Sequence, residues 1–230
     1  MNLTKNFEIN ILDLVKDSYT VEPVNGNMVK VSYVNKGRGS SPKAFILPKK
    51  IILDEEFIEA IAMYLGDGKL SADLRHLGFT SIDCDMVRFM FDFFSKRLNV
   101  HLDHFCISIN CKKFHNNILR NWANALNIPK SKFRIQQTLR SRNPSCDLQI
   151  SGTILRIIFG NLVRLFLTSN FLQNDEHRRA FLRGLFAAEG SIGINRQQNY
   201  IVCINFCLGS HEKELVTFLK KALNLENISY

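Results

Sequence analysis

The stretches Leu65-Gly66-Asp67-Gly68 and Ala187-Ala188-Glu189-Gly190 each place an acidic residue beside glycine at the end of a predicted helix. Apolar residues at helical spacing precede each stretch, and a strand–turn–strand pattern and a second amphipathic helix follow it. The two acids lie 122 positions apart (189 − 67). This repeated order predicts an internal duplication within an α+β fold.

Small residues stand four positions apart just before each acid, Ala62 and Gly66 in the first stretch and Gly184 and Ala188 in the second. Small side chains at this spacing lie on one helical face and let two backbones approach closely. We therefore expect these four residues to form an interface between the two helices, which would place the two acids next to each other.

A simpler interpretation makes each acid part of an ordinary helix stop, with Gly68 and Gly190 in the left-handed conformation. An acid at a helix C-terminus opposes the helix dipole by about 0.3–1 kcal/mol, so it is a poor choice for a stop alone. Two stops with the same preceding small residues favour a shared site at Asp67 and Glu189.

Two adjacent carboxylates repel unless a cation lies between them. Carboxylate oxygens are hard ligands that suit Mg²⁺ better than Zn²⁺, and Mn²⁺ can substitute. A metal held by Asp67 and Glu189 could activate a water and stabilise a leaving oxygen. The pattern thus favours phosphodiester hydrolysis.

Positive charge is unevenly distributed along the 230 residues, which carry a formal net charge of +9. The segments Val24–Leu53 and His104–Cys146 contain no acid. Such runs indicate a surface that neutralises phosphate, although a solvated basic face would have the same composition.

Three segments are predicted: a basic β extension over 1–53, a first half over 54–174 and a second half over 175–230. In the extension, strands Tyr19–Glu22 and Met28–Val34 flank Asn25-Gly26, a type I′ turn sequence, and Ala44–Leu47 is expected to add a third strand. Each half opens with a predicted N-cap, Asp54 in the first and Asp175 in the second.

Residues 133–151 are predicted to form two paired strands with one apolar and one polar face. The apolar face would hold Phe133, Ile135, Leu139, Leu148 and Ile150. Polar side chains suited to reading base edges would lie opposite, at Arg134, Gln136, Thr138, Arg140, Asp147 and Gln149, with Asp147 suited to a cytosine amine. Arg142, between the two strands, is a further candidate for DNA contact. A loop tip with Arg196, Gln197 and Gln198 could read a second half-site, while Lys112, Lys113, Lys130 and Lys132 would contact phosphate.

The six cysteines include no Cys-x-x-Cys pair and lie mostly in apolar sequence, as in reduced intracellular proteins. A zinc site between His101 and His115 is only weakly indicated. The N-terminus does not resemble a signal peptide, and charges interrupt the most apolar stretch, Ile154–Leu172. We expect an intracellular protein, cytoplasmic or organellar, that is neither secreted nor membrane-spanning.

The segment Leu182–Gly190 resembles a full LAGLIDADG motif, and Ala60–Gly68 is similar but looser at its start. The resemblance implies a homing endonuclease with a pseudo-symmetric pair of αββαββα halves, whose mixed or antiparallel sheets form DNA-binding saddles. It gives the metal-binding, catalytic role to Asp67 and Glu189 and makes the carbonyls of Gly66 and Ala188 supporting ligands.

Three further segments resemble the archaeal-intron and intein-borne branch of that family: Lys43–Lys50, Phe79–Leu98 and Ile128–Phe133. After the helix at 211–224 the family would supply a second hairpin and a final helix, so the second half is expected to be short at its C-terminal side.

The resemblance implies a monomer that cuts a long double-stranded DNA site using Mg²⁺. A nuclease-inactive DNA- or RNA-binding protein on the same scaffold, such as a maturase, a regulator or a decayed copy, is the alternative. A purely protein-binding α/β module is a third class, which would make the basic stretches incidental.

Overall fold

The computed structural model describes residues 7–15, 19–33, 44–73, 75–139, 143–195, 200–209 and 212–230. The α-helices in these ranges are α1 Glu55–Asp67, α2 Cys84–Asp92, α3 Asn116–Leu126, α4 Thr153–Thr168, α5 Asp175–Glu189 and α6 Lys213–Leu225. A π-helical turn, Phe93–Arg97, continues α2. None of these described helices is long and apolar enough to cross a membrane.

The strands confirm the predicted α+β class. They are β1 Phe7–Asn10, β2 Tyr19–Pro23, β3 Met28–Tyr33, β4 Phe45–Pro48, β5 Lys50–Leu53, β6 Gly68–Leu70, β7 His76–Ser81, β8 Phe105–Cys111, β9 Phe133–Gln137, β10 Ser145–Ser151, β11 Gly190–Asn195 and β12 Tyr200–Phe206. Helix, hairpin and helix follow one another twice, as α1-β6-β7-α2 and as α5-β11-β12-α6.

The chain divides into two compact units, and each unit is made of segments that are not contiguous in sequence. One unit holds α1, the end of α4, α5, β11, β12 and α6, and the other holds β2–β4, β6–β10, α2, α3 and the start of α4. The predicted boundaries at 53 and 174 follow sequence order and remain a prediction.

A five-stranded sheet of order β6-β7-β10-β8-β9 forms the centre of the second of these units. The prediction that the two strands of residues 133–151 pair with each other is wrong, because β8 lies between β9 and β10. Strand β9 runs parallel to β8, whereas β10 is antiparallel to both β7 and β8.

Alternation along β10 fixes which side chains face the core of this unit. Cys146, Leu148 and Ile150 are buried, and the residues between them are partly exposed. The prediction fails at Leu139, which lies beyond the end of β9 and is 86% exposed. A period of two applies only within a strand, and β9 ends at Gln137.

Apolar side chains of α2 and α4 cover the buried face of this unit. Val87 and Met90 of α2 are fully buried. The rings of Phe93, Phe94 and Phe159 pack together with centroids 5.3–6.3 Å apart. These contacts leave the opposite face of the five-stranded sheet as the polar one.

The N-terminal strands form a three-stranded antiparallel sheet of order β2-β3-β4, as the sequence predicts. The turn between β2 and β3 is not type I′, which requires positive φ at both central residues. Gly26 has φ of +63°, while Asn25 is absent from the positive-φ residues among those described.

Helices α1 and α5 pack side by side and in the same direction within their unit. A Cβ built at Gly184 would lie 2.2 Å from the Glu59 carbonyl oxygen and 3.0 Å from Ala62 Cβ, and one at Gly66 would lie 2.5 Å from Ala188 Cβ. Ala62 contacts Gly184 and Gly66 contacts Ala188, and both pairs are 122 positions apart, as the two acids are. The helices are therefore parallel and in register, and their C-terminal ends lie side by side.

Glycine follows each helix without the left-handed conformation of an ordinary stop. Gly190 has φ −82° and ψ 148° and begins β11, and Gly68 begins β6. At the other end, Asp54 accepts from the Phe57 N–H at 2.9 Å, as predicted for the N-cap of α1. The N-cap of α5 is Asn174 rather than Asp175, because the Asn174 side chain accepts from the His177 N–H.

The unit that contains α1 and α5, the two motif helices, has its own hydrophobic core. Four phenylalanine rings pack with centroids 4.2–6.4 Å apart, at positions 166, 171, 181 and 218. The buried guanidinium of Arg178 bonds the carboxylates of Asp175 and Glu226 and the carbonyl of Leu172, which ties α5 to the end of α6.

The close approach of the two helices predicts that Gly184→Ala lowers the free energy of unfolding by about 1–3 kcal/mol, because its Cβ would meet the Glu59 backbone. Gly160→Ala in α4 is the matched control, since its Cβ would meet side-chain atoms only, the Arg156 guanidinium at 2.8 Å and Leu70 at 3.9 Å, and no backbone. The control variant should be unchanged or slightly more stable, as Ala favours a helix over Gly. Urea unfolding measures both, and equal stabilities would contradict the packing.

Candidate functional site

The parallel helix pair brings the two predicted acids to one end of its unit. Asp67 is the last residue of α1 and Glu189 the last of α5, and both are partly exposed. A Cβ at Gly66 would lie 2.8 Å from Glu189 Cγ and 3.4 Å from Glu189 Oε1. A side chain at position 66 would therefore displace the Glu189 carboxylate from its place beside the end of α1.

The charge on Glu189 is held at a cost. Burial raises the pKa of the Glu189 carboxyl above its ordinary value, and the negative charges of Asp67 and then Glu212 raise it further. Glu212 was not among the residues predicted from sequence, because it comes after the second hairpin, 23 positions from Glu189 (212 − 189). A cation at this end of the helices would offset the repulsion.

Backbone oxygens are also available near the acids. The last helical bond of α5 runs from the Gly190 N–H to the Phe186 carbonyl, and the Glu189 carbonyl accepts from the Cys207 N–H. Helix geometry leaves the final carbonyls, including that of Ala188, without a partner inside the helix. In α1 the carbonyl of Gly66 occupies the corresponding position.

Together the acids and carbonyls make a donor set of hard oxygen atoms. Within the ranges that the structure describes, no group of three or more His, Cys, Asp or Glu side chains could hold a metal. The set of two carboxylates and two backbone carbonyls suits Mg²⁺, which commonly binds one or two carboxylates and completes its shell with water and substrate phosphate. It does not suit a closed zinc site.

An ion-pair cluster that sequence reasoning missed links the same two helices. Arg183 of α5 donates to Glu55 at 3.1 Å and to Glu59 at 3.2 Å, both on α1. These side chains are largely exposed, so the cluster contributes little stability but specifies which helix faces which. Opposite charges on the two motif helices were the available signal.

The polar face of the five-stranded sheet holds the second set of candidate residues. Across β7, β10, β8 and β9 the register aligns Thr80, Asp147, Ser108 and Arg134 in one row. Of these, only Asp147 and Arg134 were predicted. The alternation of polar and apolar residues over His76–Ser81 could have identified Thr80.

Hydrogen bonds connect three strands of this face. Lys69 Nζ donates to Thr80 Oγ1 at 3.0 Å, and Thr80 Oγ1 donates to Asp147 Oδ1 at 2.6 Å. Farther along the row, Gln136 Nε2 lies 3.5 Å from Ser108 Oγ. The face is therefore a connected polar surface with mixed donors and acceptors.

The remaining predicted DNA contacts divide into exposed residues and residues outside the described ranges. Lys112, Lys113, Lys130, Lys132, Arg134 and Gln136 are exposed, and Thr138 and Gln149 are partly exposed. Arg140, Arg142, Arg196, Gln197 and Gln198 lie outside the described residues.

The acid-free runs of sequence are not free of acids in space. Lys30 pairs with Glu22, Lys50 with Glu8 and Lys132 with Asp103, so each lysine of a run pairs with an acid from outside it. The hydrogen bond from Lys132 lowers the pKa of Asp103 below its ordinary value. Lys132 is thus partly neutralised, which corrects the expectation of uncompensated charge.

All six cysteines are free thiols. Cys111 and Cys146 are buried in the sheet, as expected of small core residues, and burial raises the pKa of the Cys146 thiol. Cys203 and Cys207 are exposed instead, because β12 has no further described strand beside it.

The structure thus contains two features to compare with known proteins: a parallel pair of helices that each end in an acid, and a five-stranded sheet with one polar face. Residues 176–230 match the family model of a LAGLIDADG-like domain. This match supports the resemblance to the LAGLIDADG family over that segment. Comparison with curated proteins and with solved structures gave no match.

The raised pKa of Glu189 predicts that Glu189→Gln increases the free energy of unfolding at pH 7, where the folded state carries a charge it disfavours. The gain should disappear below about pH 4, where the carboxyl is protonated in both states. Chemical unfolding across this pH range measures it. Glu214→Gln, at an exposed site in α6, is the control and should not reproduce this profile; a gain that does not depend on pH would contradict the assignment.

Proposed function

We propose that the protein is a divalent-metal-dependent endonuclease that cuts a long site in double-stranded DNA and acts as a monomer. The observation that carries the proposal is the parallel packing of α1 on α5, which sets Asp67 and Glu189 at one end of the helix pair. The LAGLIDADG-like match over 176–230 supports the same activity.

In this proposal Asp67 and Glu189 hold Mg²⁺ together with the carbonyl oxygens of Gly66 and Ala188, and Mn²⁺ can replace it. When bound, the metal supplies a Lewis acid that lowers the pKa of a water and neutralises charge on the scissile phosphate. The repulsion between Asp67 and Glu189 supports this proposal, since a cation between the two carboxylates would offset that repulsion.

The chain's own residues would supply positioning. Small side chains at 62, 66, 184 and 188 would let the helices approach closely and so hold the acids in proximity; at 66 and 184 even a Cβ would clash across the helix pair. The two carboxylates orient water and phosphate around the cation. No predicted role requires either acid to change protonation state once the cation is present.

DNA would lie along the polar face of the five-stranded sheet. An antiparallel ribbon or sheet can enter the major groove, where each base pair presents a distinct pattern of donors and acceptors. Arg134, Gln136, Asp147 and Gln149 would read bases, and Lys112, Lys113 and Lys130 would neutralise phosphate.

One observation favours the alternative, a nucleic-acid-binding protein without nuclease activity. Among the described strands the first hairpin joins a five-stranded sheet, whereas β11 and β12 form a sheet of two. A protein with one full reading sheet could bind DNA or RNA without holding both strands for cleavage.

The activity predicts that Asp67→Asn and Glu189→Gln each reduce Mg²⁺-dependent cleavage by at least about 100-fold, because each removes a charge from the metal site. Both variants should bind duplex DNA as the wild type does. The assay uses supercoiled and linear duplexes containing the insertion-site region of the gene. Glu214→Gln serves as the control for loss of one charge.

Cleavage that survives both substitutions would exclude Asp67 and Glu189 as the metal-binding pair. Tight DNA binding by the wild type with no cleavage in Mg²⁺ or Mn²⁺ would favour the binding-protein alternative.

A further inference from the structure

The chain of hydrogen bonds from Lys69 through Thr80 to Asp147 has a fixed direction. A lysine ammonium can only donate, so in the 3.0 Å contact the Thr80 oxygen is the acceptor. The single hydroxyl proton of Thr80 is then directed to Asp147 Oδ1, 2.6 Å away. The carboxylate of Asp147 is thereby held by one oxygen, and its other oxygen is an acceptor on the same polar face.

The neighbours of Asp147 leave space on this face. Gly78 lies on the adjacent strand and carries no side chain; a Cβ built there would lie 3.9 Å from Asp147 Oδ1, in ordinary van der Waals contact. Ser108, opposite Asp147 on β8, is small and buried. Asp147 itself is partly exposed, as contact with a ligand requires.

We infer that Asp147 is a specificity-determining residue that selects cytosine in the major groove, with Thr80 and Lys69 as its positioning residues. The inference rests on the proposed DNA-binding function and deepens it. Sequence alone suggested Asp147 as a reader of a cytosine amine; the structure adds the two residues that orient it.

The chemistry of base edges explains the choice of cytosine. A fixed acceptor needs a donor, and only the cytosine N4 and adenine N6 amines offer one in the major groove. In an A·T pair the adenine amine lies between two acceptors, adenine N7 and thymine O4, which would repel a carboxylate. In a G·C pair the cytosine amine has an acceptor on one side only, so the carboxylate meets less repulsion there.

The orientation imposed by Thr80 makes the isosteric variant informative. In Asp147→Asn, the amide oxygen would accept the Thr80 hydroxyl proton and the NH₂ group would face the groove. This changes the presented group from an acceptor to a donor. We therefore expect a change of preferred base, from cytosine to one of the three bases that present a major-groove acceptor (guanine, adenine or thymine), rather than a simple loss of binding.

The test is selection of bound sequences from a library of random 40-base-pair duplexes, with the full chain and without divalent metal so that no strand is cut. The wild type should enrich a motif with cytosine at one position by about tenfold over the other bases, which corresponds to about 1.4 kcal/mol. Asp147→Asn should exchange that preference for guanine, adenine or thymine and leave the rest of the motif unchanged.

Three further variants separate orientation from folding. Thr80→Ser keeps the hydroxyl and should retain the cytosine preference, whereas Thr80→Val should weaken it at that position alone. Asp92→Asn removes the same charge from α2, where Asp92 pairs with Lys96, and should leave the whole motif intact. The unchanged positions of each motif report that the variant is folded and binds.

Three results would overturn the inference: an unchanged motif for Asp147→Asn, equal loss of preference at every position, or identical behaviour of the Thr80 variants. Failure of the proposed function is distinguishable from these, because the wild type itself would then enrich no sequence, and the inference would fall with it.

Discussion

The close approach of α1 and α5 is the constraint on which the rest of this unit depends. At Gly184 the partner's backbone is so near that no Cβ fits, and at Gly66 a Cβ would meet Ala188 and Glu189. Because the helices run parallel, the same packing that buries their small residues also aligns their final residues. The position of the acids is thus a consequence of helix packing, not of a separate loop or insertion.

This arrangement works against stability at the candidate functional site. An acid at a helix C-terminus opposes the dipole, and Asp67 and Glu189 repel each other as well. Other contacts in the same unit stabilise it against this repulsion: the cluster of four phenylalanines, and buried Arg178 with its carboxylate partners. A locally unfavourable group maintained by a well-packed surrounding is typical of functional sites.

Much of this could be predicted from sequence, because the decisive signals are local. Small residues four apart, repeated at one offset, predict the helix pair, and alternation along 145–151 predicts which face of β10 is buried. Strand order could not be predicted in the same way. Alternation specifies a face but not a neighbour, so the insertion of β8 between β9 and β10 follows from tertiary packing.

The candidate site was predictable to a similar degree. Asp67, Glu189 and Asp147 stand out by residue type and position, whereas Thr80 and Lys69 matter only through their contacts with Asp147 across strands. Charge runs were the least informative signal, since Glu8, Glu22 and Asp103 neutralise lysines from outside the runs.

The ion pairs of Arg183 with Glu55 and Glu59 make the two motif helices chemically unlike, with acids on one and a base on the other. Two identical subunits related by a two-fold axis must present identical surfaces, and therefore match a palindrome. A single chain in which α1 carries acids and α5 carries a base at their contact has no such two-fold symmetry to obey. In the proposed function, each half can change its sheet residues without altering the other, so the DNA sequence that the protein recognises need not be symmetric.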